Sequence, residues 1–494
     1  MLDVASIVDC KTAEQKTETE SYQRMEYNLF PAPCGAFVGD VMPMVDNGTL
    51  ELFYLYDTDH NGQAYHPIHK FTTKNLFEYE DHGLMIGCGK TEEPDLALGT
   101  GSVLKGQDGR YHCFYTGHND VMGQKGFGKE CIMHAVSPDK EHWEKIPSDT
   151  FFPEENFAID DFRDPFVFWN AEEKCYWMLL STREDSLGGI IARYISDDLR
   201  KWNLCGPLYA PQSHYMLECP DLFRFGNYYY LFYSWNCVTY YAISESIYGP
   251  FVEPENNVLD GTGFVFYAAK TAQLNGKRYL CGWVGRTDLR DDHGPYNWAG
   301  NMVIHELIQY DDGLLGIREP ETLKAYFSEQ LACNAVRTCG TVEEYYGIYL
   351  LRADHSQFAL ADFGVRPETV LLECDVVLGK EGLAGFAFGQ GTDYENFTCL
   401  TLDSKNHSIH YEGTKLSNLS GTAPVIKTAF HFDPGTHYHV TLVAEKEIVV
   451  LYLDDAKALS SRIYHSIDGA HIALFAKEKE AAFHNLTIRI PDKS

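Results

Sequence analysis

The tract SPDKEHW (137–143) returns as SDDLRKW (196–202). Both copies follow a strand-like run, IMHAV (132–136) and IARYI (191–195), and both close on a tryptophan. A chain that repeats "strand, polar turn, Trp" is assembled from copies of one unit. Working outward, five aromatic runs share that setting: ELFYLY (51–56), YHCFYTG (111–117), YWMLLST (176–182), YYLFYSW (229–235) and RYLCGWVG (278–285). Each follows a turn cue: DNG, QDGR, AEEK, FGN or LNGK. Their starts are about 50 to 65 residues apart, the period of a four-stranded propeller blade. Five units fill residues 30–325, which predicts an all-β chain opening with a five-bladed β-propeller. A large sandwich or barrel can give the same spacing; the repeated turn-and-Trp tract favours the propeller.

Beyond about residue 325 the period is lost. Runs such as TVLLECDVVL, EIVVLYLDD and AFHNLTIRI alternate without it, so residues 340–494 read as a C-terminal β-sandwich. Residues 1–29 read as an N-terminal extension and 326–339 as a linker, with LKAYFSEQLACNAV (323–336) spaced like a short helix.

Composition narrows the partners. The 494 residues carry 71 acidic and 40 basic side chains, a net charge of −31. Such a surface repels nucleic acid and anionic membrane. Aromatic residues reach 14%, with 32 Tyr and 29 Phe, which suits both strands and ring-stacking on sugars. The N-terminus lacks a basic stretch followed by a long apolar one, and no window runs to 18 apolar residues. The 14 Cys show no CxxC pair, so buried thiols in a reducing cytoplasm are expected, with no metal and no cofactor.

In IDDFRDPFVFWN (159–170), charge stands directly against an apolar strand. For any one Asp a solvated turn explains that, but MLECPDLF (216–223) has the same layout. Asp40 before Pro43, Asp164 before Pro165 and Glu218 before Pro220 all fall where an inner strand would begin. A propeller gathers such positions at one axial pocket. Three carboxyls in one partly apolar cavity cannot all ionise at their usual pKa, so one is raised and becomes a general acid beside a charged nucleophile. A retaining glycosidase needs two carboxyls about 5–5.5 Å apart for that chemistry. Arg163 is expected to keep Asp164 charged and fixed.

The motifs RDP (163–165) and ECPDLF (218–223) resemble the signatures of glycoside hydrolase family 32, the invertases and fructan hydrolases. GTGSVLKGQDGRYHCFYTG (99–117), FYAAKTAQLNGKRYLCGWVG (266–285), NWAGNMVIHELIQYDDGLLGIREP (297–320) and DDAKALSSRIYHS (454–466) extend the resemblance over both domains. It implies a retaining hydrolase releasing a terminal furanosyl unit, β-fructofuranosyl above all, from a small carbohydrate by double displacement. Asp40 is then the nucleophile, Glu218 the acid/base, and Asp164 the transition-state stabiliser, gripping sugar hydroxyls with Arg163. Thr100, Cys219, Tyr267 and Trp298 fall at pocket-lining positions of the family, and Cys219 tunes Glu218.

The departures concern substrate contacts. Where the family reads W-M-N-D-P-N-G this chain has Phe37-Val38-Gly39-Asp40-Val41-Met42-Pro43, so Gly39 replaces an Asn that bonds the sugar. Leu55 replaces a Gln, His66-Pro67-Ile68-His69 replaces Trp-Gly-His, and Gly99 stands at an aromatic position. Asp57, His60, His66 and His69 cluster where contacts are lost and are candidate substitutes, with Asp57 and His66 foremost. The H-x-x-H spacing lacks the acidic partners of a metal site. Rival readings are a fructosyltransferase of the same family, an inverting pentofuranosidase of the arabinanase/xylosidase type, and a non-catalytic carbohydrate-binding protein on the same scaffold. The glycone, a phosphate on the substrate and the oligomeric state stay open, although no Lys/Arg cluster near the motifs favours a phosphate.

Overall fold

The computed structural model describes residues 26–58, 65–124, 128–292, 294–353, 358–389, 397–412, 416, 419, 426–464 and 469–492. His60, one of the candidate substitutes, lies outside them.

The turn that repeats in sequence repeats in space. Ser137 Oγ accepts the N–H groups of Asp139 and Lys140, and Asp139 Oδ1 accepts those of Glu141 and His142. Ser196 and Asp198 do the same for Asp198, Leu199, Arg200 and Lys201. The residue after each Asp takes a positive φ, 73° at Lys140 and 63° at Leu199. Two side chains thus supply the acceptors that a tight reversal needs. Thr73 and Asn75 build the same turn, with Leu76 at φ 68°. The tryptophan then leaves its own sheet for the preceding one. Trp143 stands edge-on against Phe53 and Trp202 edge-on against Phe114.

Around these turns run antiparallel meanders in chain order. The first is β1 (Phe37–Asp46), β2 (Thr49–Asp57), β3 (Ile68–Thr73) and β4 (Tyr79–Ile86). The second is β5 (Ala97–Lys105), β6 (Tyr111–His118), β7 (Glu130–Ser137) and the short β8 (Glu144–Lys145). The third is β9 (Phe157–Asn170), β10 (Cys175–Glu184), β11 (Gly188–Ser196) and β12 (Asn203–Ser213). The fourth has β13 (Glu218–Phe225), β14 (Tyr228–Trp235) and β15 (Val238–Ser244). The last comprises β16 (Tyr267–Leu274), β17 (Lys277–Thr287), β18 (Tyr296–Gln309) and β19 (Leu315–Arg318), and it meets the first at the pair Val38 and Gly300.

Apolar layers fill the space between neighbouring meanders: Met42, Phe53 and Tyr115 between the first two, Phe114, Phe162 and Met178 between the next two. Leu179, Tyr209 and Leu231 pack the third against the fourth, and Leu52, Tyr54, Leu274 and Met302 pack the first against the last. Trp177 and Trp283 are wholly buried. Each large apolar side chain withdrawn from water contributes on the order of 2 kcal/mol.

The C-terminal region consists of two stacked antiparallel sheets, one running through 369–378, 437–445 and 448–453, the other through 383–389, 397–403 and 471–477. Buried polar groups tie it to the meanders. Asp260 accepts from Ser460 N and Oγ at 2.7 and 2.6 Å and pairs with His305 at 2.9 Å. Arg462 reaches Glu447 and Asn301 at 2.8 and 2.5 Å. Of the stretch 323–336, expected to be helical, only Leu323–Tyr326 is; Glu329–Leu331 pairs as a strand with Ile488–Ile490. The sheet edge offers a full ladder of partners, which outbids a marginal one-turn helix.

Candidate active site

The inner strand of each meander breaks register with its neighbour, β9 at two places. One such shift per strand falls at Asp40 in β1, at Thr100 in β5, at Asp164-Pro165 in β9, at Cys219-Pro220 in β13 and at Ala268-Ala269 in β16. A bulge bends its strand and re-aims the side chain it frees. Asp164, Cys219 and Ala268 take positive φ angles of 60°, 53° and 53°, a strained conformation for residues with a Cβ. The five irregularities bring Asp40, Asp164 and Glu218 within range of one another's charge.

Trp283 Nε1 donates to Asp40 Oδ1 at 3.0 Å. Burial raises the Asp40 pKa, the indole opposes that, and the Glu218 charge adds to it. Asp164 is buried, and its carboxyl is pushed up to about 7, chiefly by burial, against the lowering effect of Arg163 and with the charges of Glu218 and Asp40 added. Glu218 is half-buried, with Arg163 Nη2 at 3.0 Å from Oε1 and the Tyr267 hydroxyl donating to Oε2.

Two expectations are corrected here. Arg163 does not hold Asp164: its guanidinium reaches Glu130 at 3.0 Å, Asp161 at 3.3 Å and Glu218, because the bulge sends adjacent side chains apart. The charges of Arg163 and Lys270 still lower the Asp164 carboxyl, but without a direct contact they do not overcome its burial. Likewise Cys219 serves Asp164 rather than Glu218, its N–H donating to Asp164 Oδ2 at 2.9 Å and its thiol lying 3.6 Å away. Burial lifts that thiol well above its ordinary value, which rules against a thiolate nucleophile. The run of charge in IDDFRDPFVFWN (159–170) is thereby explained. Asp164 turns inward, Asp161 braces Arg163 and Arg183, and Asp160 stays exposed.

Thr100 is buried beneath Asp40, its Oγ 3.5 Å from the Asp40 carbonyl. Trp298 explains Gly39. A Cβ at position 39 would lie 2.2 Å from Trp298 Cη2, so the ring occupies the room an Asn side chain would need. His66 tilts against that ring, the centroids 4.4 Å apart. Asp57 binds Arg286 at 2.8 Å and His66 at 3.4 Å, so both its oxygens are engaged. His69 stacks on Tyr56, and burial lowers it to about 4. The chain thus brings Asp57, His66 and Trp298 together, with Trp298 against the Trp283 ring that bonds Asp40, and sets His69 apart.

Three residues of the site escape a reading by motif. Lys270 is buried, donates to Gly101 O and Thr100 Oγ, and lowers both Asp40 and Asp164 by its charge. Its signal was a single Lys in the otherwise uncharged run YAAKTAQL (267–274). Glu130, buried at the start of β7, anchors Arg163 and the Phe162 N–H. Trp283, inside the strand run RYLCGWVG (278–285), is buried and is also the donor to Asp40.

Residues 40–316 match the family profile described as "Glycosyl hydrolases family 32 N-terminal domain". The chain belongs to glycoside hydrolase family 32. It is a glycosidase acting on O-glycosyl bonds. Raffinose invertase of Escherichia coli is 24% identical over 90% of this chain and 90% of its own length. Levanbiose-producing levanase of Bacillus subtilis (strain 168) is 22% identical over 96% of this chain and 93% of its own. The family 32 fold, a β-propeller followed by a β-sandwich, is shared with solved structures. Sucrose-6-phosphate hydrolase from Lactobacillus gasseri aligns at TM-score 0.72 and 19% identity, over 95% of this chain and 93% of that one. Fructan 1-exohydrolase IIa from Cichorium intybus aligns at 0.70 and 16%, over 95% and 97%. Among the described residues no helix is long and apolar enough to cross a membrane.

Proposed function

We propose that this family 32 hydrolase is a retaining β-fructofuranosidase, releasing the terminal fructosyl unit of a small fructoside. The five meanders are read as five blades, with residues 340–494 as a separate β-sandwich. The reading rests on one observation: Asp40, Asp164 and Glu218 converge from three bulged strands of three different meanders.

Asp40 attacks the anomeric carbon while Glu218 gives its proton to the leaving oxygen, so the glycosidic bond breaks as the Asp40 ester forms. Glu218 then takes a proton from water, whose oxygen displaces Asp40 and restores the starting configuration. Trp283 favours the ionised form of Asp40. Arg163 and Tyr267 hold the Glu218 carboxyl in a single orientation. Asp164, raised to about 7, keeps a proton inside the carboxyl cluster near neutrality and can donate to or accept from a sugar hydroxyl. An unphosphorylated substrate is favoured, since Arg163, Lys270 and Arg286 are already engaged by protein groups. A reducing, cytoplasmic setting is favoured by the buried free thiols of Cys113, Cys131, Cys175, Cys219, Cys281 and Cys374.

The test is turnover of sucrose, sucrose 6-phosphate and inulo- and levan-oligosaccharides by wild type, Asp40→Asn and Glu218→Gln. Release of fructose by wild type alone supports the reading; full activity in Asp40→Asn refutes it. The Trp298 ring over Gly39 motivates one alternative, a sugar-binding protein without turnover. Calorimetric binding with no hydrolysis across the panel would favour that alternative.

A further inference from the structure

A graded stack of aromatic rings climbs the seam between the third and fourth meanders. At its base Tyr209 and Tyr233 are buried, their rings 5.6 Å apart and both hydroxyls on Glu253 Oε1. Tyr233 stacks on Tyr240 at 5.7 Å, Tyr240 on Trp235 at 6.0 Å, and Trp235 on Tyr215 at 5.0 Å with 16° between planes. The two middle rings are half-buried, whereas Tyr215 is 62% exposed. The stack therefore ends in one ring held flat against a rigid support with its other face in solvent.

Its position is set by the backbone. Ser234 pairs with Glu218 across β13 and β14, so Trp235 is one residue past the partner of the acid/base candidate. Tyr215 precedes Glu218 by three residues, on the segment entering β13. That segment lies directly on β11. A Cβ at Gly188 would sit 2.0 Å from the Ser213 carbonyl oxygen, and one at Gly189 1.8 Å from that of Tyr215. The Tyr215 N–H donating to Ser213 Oγ at 3.1 Å fixes the turn. The adjacent glycines let the segment descend far enough for Tyr215 to meet Trp235.

We propose that Tyr215, backed by Trp235, is the platform for the leaving-side sugar ring of the substrate. The inference rests on Glu218 being the acid/base, since the leaving oxygen and the ring it carries then lie on Glu218's side of the site. A sugar's C–H face packs on an aromatic face with little entropy lost when that ring is already immobilised. The ligand is a pyranosyl or furanosyl leaving group, and a substrate whose leaving group lacks a ring gains nothing from it.

The test compares Tyr215→Ala and Tyr215→Phe with wild type on sucrose, inulotriose and methyl β-D-fructofuranoside. Tyr215→Ala is expected to lose about tenfold in kcat/KM on the two oligosaccharides, mostly through KM, and about twofold or less on the methyl glycoside. Tyr215→Phe should track wild type on all three. An equal loss on all substrates, or none on the oligosaccharides, overturns the platform while leaving the fructosidase reading intact. If wild type cleaves none of the three, the fructosidase reading fails and the platform with it.

Discussion

Asp164 carries the cost of the site. Its carboxyl is raised from 3.8 to about 7, with burial the leading cause. The folded protein holds that proton more tightly than the unfolded chain, so this cost is absent below pH 4 and grows as pH rises toward 7. At about 1.4 kcal/mol per pKa unit it amounts to a few kcal/mol at neutral pH. Asp164→Asn keeps an acceptor for the Cys219 N–H but cannot ionise. Thermal unfolding should therefore find this variant more stable than wild type at pH 8, with the gap narrower at pH 5 and closed only below about pH 4. A gap of constant size would contradict the ionisation account. Position 39 gives a second expectation. Gly39→Asn, the apparent reversion to the family motif, drives a side chain into Trp298. Overpacking of this kind costs about 1–3 kcal/mol, so lower stability and no gain in fructoside hydrolysis are expected. Gain of activity would mean that the ring moves aside freely. At this scale the three carboxyls that the structure brings together were legible, because each stands shortly before Pro and within or at the start of an apolar strand. The neighbours they chose were not: adjacency in sequence put Arg163 with Asp164, and the bulge separated them.

Turns and bulges differ in how plainly they are written. The Ser-x-Asp turn was readable because its mechanism is local: two short side chains bond N–H groups two and three residues ahead. Ser196→Ala removes an acceptor serving two N–H groups, and a loss of about 1 kcal/mol is expected by chemical denaturation. Trp202→Ala should cost more, about 3 kcal/mol, because it also strips the Phe114 face. Equal losses would deny the Trp its inter-sheet role. The bulges were hidden, since each is defined by a partner strand rather than by its own residues. The helix expected over 323–336 failed for the same reason: its apolar spacing serves Phe327 in the shared core and Leu331 on the sheet edge. Exposed aromatics such as Tyr215 likewise gave no sequence cue that they would stack.

Across the whole molecule, the meanders and the C-terminal sheets share a continuous apolar cluster running from Phe30 and Phe266 through Leu323 to Leu442 and Phe483. Asp260, Arg462 and Glu447 lie buried in that junction with their partners. Calorimetry should therefore record one cooperative unfolding transition; two well-separated transitions would contradict the coupling. Asp260→Ala leaves the Ser460 and His305 donors unpaired and should lower that single transition sharply. The all-β architecture and the change of pattern near residue 325 were evident from the sequence, while the depth of this junction was not, because its polar members are scattered along the chain. On the proposed reading, the architecture gathers carboxyls from distant strands around one sugar carbon. The most direct test is the configuration of the product formed when sucrose is cleaved in aqueous methanol, read by NMR. Double displacement through Asp40 predicts methyl β-D-fructofuranoside. Methyl α-D-fructofuranoside, or an absence of any cleavage, would contradict it.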